Sequence, residues 1–582
     1  MNLRVLLCCT LVCFPGLVAG QGQTAPAPAV AAAAASEIPH LRKQGTATQL
    51  IVDGKPFLAL AGELSNSSAT GIEYMKLVWS RLAMQKGLNT VLAGVSWNQI
   101  EPREGKFDFA VLDSVIQGAR AHNMRLVLLW FGTWKNGLSS YMPDWVKRDF
   151  ERFPRAQIVG DDTPWPVWGV TRGKFTGSMN IELLSPFGDA TRDADASAFA
   201  ALMRHVKAVD GHERTVIMIQ VENEVGLQGD TRDRSPAANK AFDGPVPLEL
   251  IDYIDKHKDT LIPEFRKVWE AAGFKTSGTW EEVFGKGRPT EEIFMAWHFA
   301  RYVDRVTAVG KAEYPLPMFV NCPQIGFGRM PAPLKGSGQS GGPMPDAMDV
   351  WRAGAPRIDF LGADIYSNDY IGYVSRYNQS GNPLFIPETR GDMEARVLYA
   401  FGRHDAIGIS LMGIERLTAP ETEMIRGFEA IRQLWPLIAK HQGKGTMSGV
   451  LVGQKDPPKK LTLGNYTFEV SFMTPRGLPG TPALQSPFSS GVAVFINVGP
   501  DEYYVVGNSA SVTYSPNTPG PEHAGLGTVE EGTFVNGRWI PSRQIAGDET
   551  GQGQDLSLRS NPPDRIPDRY AGIQHFTLYR YK

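Results

Sequence analysis

The stretch "VIMIQVENEVG" spans residues 216–226. Four apolar residues, Val216 to Ile219, lead into the polar group Glu222-Asn223-Glu224. An apolar run of this kind reads as a parallel strand buried on both faces. A run that ends in two carboxylates and an amide reads as a strand delivering chemistry at its C-terminal end. Seven other runs share the pattern: residues 57–64, 89–97, 125–132, 317–322, 360–366, 383–390 and 408–415. Amphipathic stretches such as "DASAFAALMRHVKAVD" lie between them, with apolar residues three and four apart. Eight such units predict a TIM (β/α)8 barrel. A doubly wound sheet is the competing architecture, but no Gly-rich phosphate loop follows the first run.

A parallel barrel points the C-terminal ends of all its strands at one face. The fourth run ends in Glu222-Asn223-Glu224 and the seventh in Pro387-Glu388-Thr389-Arg390. Two carboxylates on one polar face are what glycoside hydrolysis needs: one protonated to serve the leaving oxygen, one ionised to meet the anomeric carbon. Arg390, two residues on, is expected to favour ionised Glu388. The period-two alternation of a strand leaves Glu222 and Glu224 both open as partners of Glu388.

After residue 442 the pattern changes. "YTFEVSFMT", "GVAVFINVG" and "IQHFTLYRYK" alternate or are rich in β-branched and aromatic residues, with Gly and Pro between them. An all-β, sandwich-like domain is expected over 445–582, after a catalytic barrel over 45–444. Residues 1–20 read as a signal peptide, with one Arg, an apolar core and Val18-Ala19-Gly20, and residues 21–44 as a low-complexity tether. The expected location is periplasmic or secreted, with no membrane attachment after signal removal.

The 582 residues are 42% apolar and 21% charged, with a formal net charge of -2, so no basic excess suggests nucleic acid. Three of the four cysteines, Cys8, Cys9 and Cys13, precede residue 20; Cys322 alone follows, and it reads as buried and structural. Neither a His cluster nor an H-E-x-x-H motif appears, so no metal and no cofactor are expected. Trp97, Trp130 and Trp134 fall at or near strand ends, where indole faces suit sugars; Trp130 reads equally well as core. Tyr366 is a candidate hydrogen-bond donor to the strand-seven carboxylate and Glu415 a candidate hydroxyl ligand. His298 reads as helix packing.

The chain resembles glycoside hydrolase family 35, the β-galactosidases, in two segments. Trp97, Asn98, Glu101, Pro102, Gly105, Phe107, Asp108 and Phe109 match its W-N-x-x-E-P-x-x-G-x-F-D-F segment, shared more loosely with family 42. Gln220, Glu222, Asn223, Glu224 and Gly226 match its Q-x-E-N-E-x-G segment. The resemblance implies Glu224 as acid/base and Glu388 as nucleophile; Asn223, whose amide can hold a sugar hydroxyl, and Trp97, Asn98, Trp134 and Asn136 are the further candidate sugar-binding residues. It departs from the family at Gly94, where a Tyr is usual, at Thr133-Trp134-Lys135-Asn136, which lacks the usual Glu-Trp, and at Ser65-Asn66, in place of a His-Tyr pair. The loss of bulk and charge at Gly94 and Thr133 is expected to widen the mouth. The implied activity is exo-acting removal of galactose from galactose-terminated, plant-type oligosaccharides, xyloglucan side chains among them. A β-glucosidase, an endo-glycanase and a non-catalytic glycan-binding barrel are the other readings, and the oligomeric state is left open, a dimer included.

Overall fold

The computed structural model describes residues 37–85, 87–158, 183–227, 230–324, 339–390, 393–416, 423–473, 489–559 and 572–582. The expected signal peptide and most of the expected tether lie outside these residues. The end of that tether is a strand. β1 (His40–Gln44), β2 (Ala47–Val52) and β3 (Lys55–Phe57) form an antiparallel ribbon.

The eight apolar runs are eight parallel strands. They are β4 (Ala59–Glu63), β5 (Thr90–Ser96), β6 (Arg125–Lys135), β7 (Val216–Asn223), β8 (Met318–Gln324), β9 (Phe360–Ile365), β10 (Phe385–Thr389) and β11 (Gly408–Met412). They close into a barrel in sequence order, β11 pairing with β4. The runs are near-continuous because each strand buries two faces. Ala59, Ala61, Leu92, Val127, Leu129, Phe319, Phe360 and Phe385 form the interior cluster. Residues alternating with them, such as Leu60, Val91, Leu126 and Leu128, join the layer shared with the outer helices. Leu50 and Val52 of the ribbon belong to the interior cluster, so the ribbon plugs the barrel floor beneath the N-terminal strand ends.

Among the described residues, ten further strands make the C-terminal part. They are β12 (Met447–Gly453), β13 (Lys459–Leu463), β14 (Tyr466–Phe472), β15 (Ser490–Gly499), β16 (Glu502–Asn508), β17 (Ala510–Pro516), β18 (His523–Val535), β19 (Arg538–Gln544), β20 (Leu556–Leu558) and β21 (Ile573–Tyr581). They form a six-stranded antiparallel sheet, β12-β15-β16-β21-β18-β19, and a four-stranded one, β13-β14-β17-β20. Alternate residues face the shared core: Tyr466, Phe468 and Val470 of β14 are buried. The Phe468 and Phe495 rings stack at 4.5 Å across it. The larger sheet seats directly on the barrel helix Met393–His404. Arg403 donates to Ser448 Oγ at 3.0 Å and Asn508 to Glu394 Oε2 at 2.9 Å. A Cβ on Gly402 would lie 2.4 Å from Val494, so only glycine permits this contact. Among the described residues no helix is long and apolar enough to cross a membrane.

Candidate active site

The site lies where β4, β6, β7, β8, β9, β10 and β11 end. Strict alternation from Phe385 would turn Glu388 out of the barrel. The β10–β11 register instead slips between Ile386 and Thr389. A bulge of this kind re-aims a side chain at a barrel rim, and Glu388 ends buried among the other carboxylates. Tyr366, just past β9, donates its hydroxyl hydrogen to Glu388 Oε2. Glu388 Oε1 has no hydrogen-bond partner.

The end of β7 separates its two glutamates. Glu222 and Glu224 both take left-handed conformations, φ 61° and 48°. These are strained for non-glycine residues and typical of functional sites. Glu222 turns outward. It accepts from the Trp134 backbone N–H at 2.7 Å and lies beside the Asp195 carboxyl of the helix Asp189–Asp210, whose charge acts on it. Asp195 also accepts from Trp130 Nε1 and Thr133 Oγ1, each at 2.8 Å, and from Tyr302 at 3.2 Å. Burial and then the Asp195 charge push the Glu222 carboxyl well up, so this pair keeps a proton.

Glu224 turns inward. Its backbone N–H donates to Asn321 Oδ1 at 2.8 Å, and Asn321 Nδ2 donates to Asp364 Oδ2 at 2.6 Å. Asp364 in turn faces the Glu224 carboxyl. One oxygen from each of Glu224, Asp364 and Glu388 lies within 4.8 Å of the others. Three carboxylates so close cannot all be ionised at neutral pH. Burial, then the Glu388 charge, raise Glu224 to about 7, against the opposing pull of Lys135 and Asp364. The same two causes hold Asp364 well above the usual carboxylate range.

Lys135, the last residue of β6, brings a positive charge into this cluster. It is buried, and its Nζ donates to Asn223 Oδ1 at 2.8 Å. Burial opposes its charge, but Glu388, Glu224 and Glu63 outweigh that and raise its proton affinity. Arg390, the cation expected beside Glu388, is exposed; Lys135 is the buried cation of the cluster. Two more carboxylates complete the rim. Glu63 ends β4, and Glu415 follows β11 and accepts from Ser65 N at 3.0 Å and Ser68 Oγ at 2.7 Å. Burial works against the Glu415 charge, yet these hydrogen bonds prevail and hold its carboxyl below the ordinary value.

Of the residues singled out in the sequence, the structure brings Glu224, Glu388, Asn223, Tyr366 and Glu415 to this rim. Asn136 is beside it, its backbone N–H donating to Asn223 O at 3.2 Å. Two expectations about tryptophan are corrected. Trp97 has no exposed surface and donates to Glu101 Oε2 at 2.9 Å. Trp134 is equally buried, its ring 4.5 Å from Tyr302 and 5.0 Å from Phe299. Both indoles fill the layer between barrel and helices, where no sugar reaches them. Asn98 is likewise displaced: it lines a cavity of about 200 Å³ against the helix Ala110–Ala121. Trp130 and Cys322 are core, and His298 is half-buried, packed among Phe187, Phe294 and Trp280.

The departures do not open the mouth as expected. A Cβ on Gly94 would lie 2.5 Å from Phe131 Cε2, so the Phe131 ring occupies the space a larger residue would take. Thr133 is buried with its hydroxyl on Asp195. The long segments 133–190 and 225–290 read in the sequence as walls of the pocket; residues 159–182, 228 and 229 of them lie outside the described residues. Sequence reasoning missed Glu63, Lys135, Asn321 and Asp364. Glu63, Asn321 and Asp364 are each a lone charged or amide residue near the C-terminal end of an apolar run, whereas Lys135 lies three residues past its run.

Residues 79–161 match a family model described as Beta-galactosidase, that of glycoside hydrolase family 42. Residues 424–557 match a domain of unknown function, DUF5597. A β-galactosidase of Xanthomonas manihotis is 24% identical over 265 residues, 44% of this chain and 39% of that one. The chain therefore spans well under half the length of that curated relative. Two solved structures overlap loosely. A β-galactosidase from Bacillus circulans sp. alkalophilus has a TM-score of 0.42 at 14% identity, over 65% of this chain and 56% of that one. The catalytic domain of a β-amylase from Paenibacillus polymyxa has a TM-score of 0.42 at 13% identity, over 63% and 96%. Overlaps at that level carry no argument about function. Over residues 79–161 the chain is similar to β-galactosidases, and that segment lies in a closed parallel barrel with an acidic rim.

Proposed function

We propose that the chain is a retaining exo-β-galactosidase, with Glu388 as nucleophile and Glu224 as acid/base. The observation that carries this reading is the approach of Glu224, Asp364 and Glu388 oxygens to within 4.8 Å. Retaining glycosidases hold their two carboxyl groups about 5–5.5 Å apart, whereas inverting ones need about 6.5–9.5 Å to admit water.

The two environments divide the labour. Tyr366 holds one Glu388 oxygen and leaves Oε1 for the anomeric carbon. Glu224, raised to about 7, carries the proton that the leaving oxygen needs. As the glycosidic bond breaks, Glu388 Oε1 bonds to the anomeric carbon and the Glu224 proton passes to the departing alcohol. Glu224, now ionised, takes a proton from water, which displaces Glu388 and releases the sugar with its β configuration. Asn223, fixed by Lys135 through its oxygen, presents its amide Nδ2, which has no hydrogen-bond partner, to a sugar hydroxyl.

The family 35 resemblance supports galactose as the glycone and plant-type oligosaccharides, xyloglucan side chains included, as natural substrates; the β-galactosidase match supports the glycone. The expected signal peptide supports export. The test is hydrolysis of 4-nitrophenyl β-galactoside, with the first-formed anomer read by proton NMR. First-formed β-galactose is expected. First-formed α-galactose overturns retention, and backbone cleavage of xyloglucan without galactose release overturns exo-action.

A further inference from the structure

The last strand, β21, carries one face from the barrel junction out into solvent. Phe576 and Leu578 point into the sandwich core, so His575, Thr577, Tyr579 and Tyr581 share the opposite face. Ile573, at the start of that face, packs in the layer shared with the barrel helices. Between His575 and Tyr581, at about 3.3 Å per residue, the face travels roughly 20 Å. It ends in Tyr579 and Tyr581, 51% and 48% exposed. Contiguous exposed aromatic surface is a mark of interaction sites.

Glycine shapes the outer end. Gly525 of β18 pairs with Tyr579, and a Cβ there would lie 2.6 Å from Tyr579 Cζ. Its absence lets the phenol ring lie down on the β18 backbone with its other side outward. The Tyr581 ring lies 5.8 Å from that of Tyr579, tilted by 37°, and His523 flanks Tyr581 at 5.4 Å. The three rings form a shallow trough. Toward the barrel, Thr528 and Thr577 hold their hydroxyls 3.1 Å apart. Glu502 and Glu530 follow, 2.8 and 3.5 Å from the His575 ring nitrogens, with side chains 47% and 36% exposed. Tyr504, 4.7 Å from His575 and 5.2 Å from Trp539, closes the inner end.

Ring faces at both ends suit the C–H faces of sugars, and the hydroxyls and carboxylates between them suit sugar hydroxyls. The two carboxylates accept from a neutral, hydroxyl-rich chain and repel a polyanion. We propose that this face of β21 is a glycan-binding strip, separate from the barrel pocket, that takes a neutral, extended polysaccharide chain. A chain held there stays beside the barrel at a raised effective concentration. The strip is argued from its own residues and does not depend on the catalytic reading.

The test uses the full chain carrying Glu388→Gln, so that no polymer is cut during the run. The protein is run through native gels holding hydroxyethyl cellulose, xyloglucan or polygalacturonate. Hydroxyethyl cellulose is a neutral β-glucan without galactose, so it reads the strip apart from a galactose pocket. Both neutral polymers should retard the protein and polygalacturonate should not. Tyr579→Ala combined with Tyr581→Ala should raise the apparent Kd for the neutral polymers by about 10-fold, the scale of lost ring stacking. The paired changes to Phe keep the ring faces and should hold Kd within about twofold. Melting temperatures show whether each variant folds; if the alanine pair does not, Tyr581→Ala alone carries the test. Retardation by neither neutral polymer, equal retardation of the parent and the alanine variant, or stronger retardation by polygalacturonate overturns the strip. A shift from dimer to monomer in the alanine variant, read by sedimentation, would give the face to a second copy of this chain and overturns it too. Because every arm reads binding without turnover, failure of the galactosidase reading is seen separately, in the nitrophenyl galactoside assay.

Discussion

The Lys135 ammonium donates to Asn223 Oδ1 at 2.8 Å, one residue before the proposed acid/base. The contact joins β6 to β7 across the site and orients the Asn223 amide. Lys135 also pulls the Glu224 proton affinity down. Lys135→Met is therefore expected to lower kcat/KM by about 10²-fold or more and to move the alkaline limb of the pH profile upward. A limb that stays in place while activity falls would reduce Lys135 to a packing role.

Activity itself should report Glu224. Its carboxyl, raised by burial and by the Glu388 charge, titrates at about 7. The first chemical step needs the protonated form, so kcat/KM should decline as pH rises through about 7. In Glu224→Gln that alkaline limb should vanish. The loss should be far smaller on a dinitrophenyl glycoside, whose leaving group needs no proton, than on lactose. Equal loss on both substrates contradicts the assignment.

The acidic rim should weaken the fold at high pH. Glu63 and Asp364 are raised in the folded protein, so the folded state holds more protons than the unfolded one above the ordinary carboxylate range. Stability from this source is present below that range and is lost as pH rises through the folded values. Asp364→Asn should raise Tm more at pH 8 than at pH 5, measured by differential scanning fluorimetry. A gain larger at pH 5 would mean that Asp364 is ionised and paired instead.

Asp195 belongs to the scaffold rather than to the chemistry. Asp195→Ala would leave Trp130 Nε1 and the Thr133 and Tyr302 hydroxyls without their acceptor. A cost of roughly 2–5 kcal/mol in urea unfolding is expected from orphaning these buried groups. A change below about 1 kcal/mol would show that the knot re-forms around Glu222.

The barrel was legible because parallel strands buried on both faces leave near-continuous apolar runs, and all eight did. Glu224 and Glu388 were legible because paired carboxylates at strand ends have a chemical reason to be there. What the sequence hid depends on direction. Glu388 faces the site through a register slip between Ile386 and Thr389, and the choice between Glu222 and Glu224 turns on two left-handed residues. Neither is visible in a period-two pattern. Trp97 and Trp134 misled for the same reason: a strand-end position does not say which layer an indole enters. Glu63, Asp364 and Asn321 carried a signal that was passed over, since a lone polar residue closing an apolar barrel strand needs a partner to satisfy it. The ribbon β1–β3 begins at His40, inside what reads as tether, because short two-sided strands lack a distinctive period.

The central claim is that Glu388 attacks the anomeric carbon, and trapping the glycosyl-enzyme tests it most directly. Incubation with a 2-deoxy-2-fluoro-β-galactosyl fluoride, followed by proteolysis and mass spectrometry, should find one fluorogalactosyl group on Glu388 and none in Glu388→Gln. A stoichiometric label on Glu224 or Glu63, or rapid turnover to first-formed α-sugar with no label, would contradict the account.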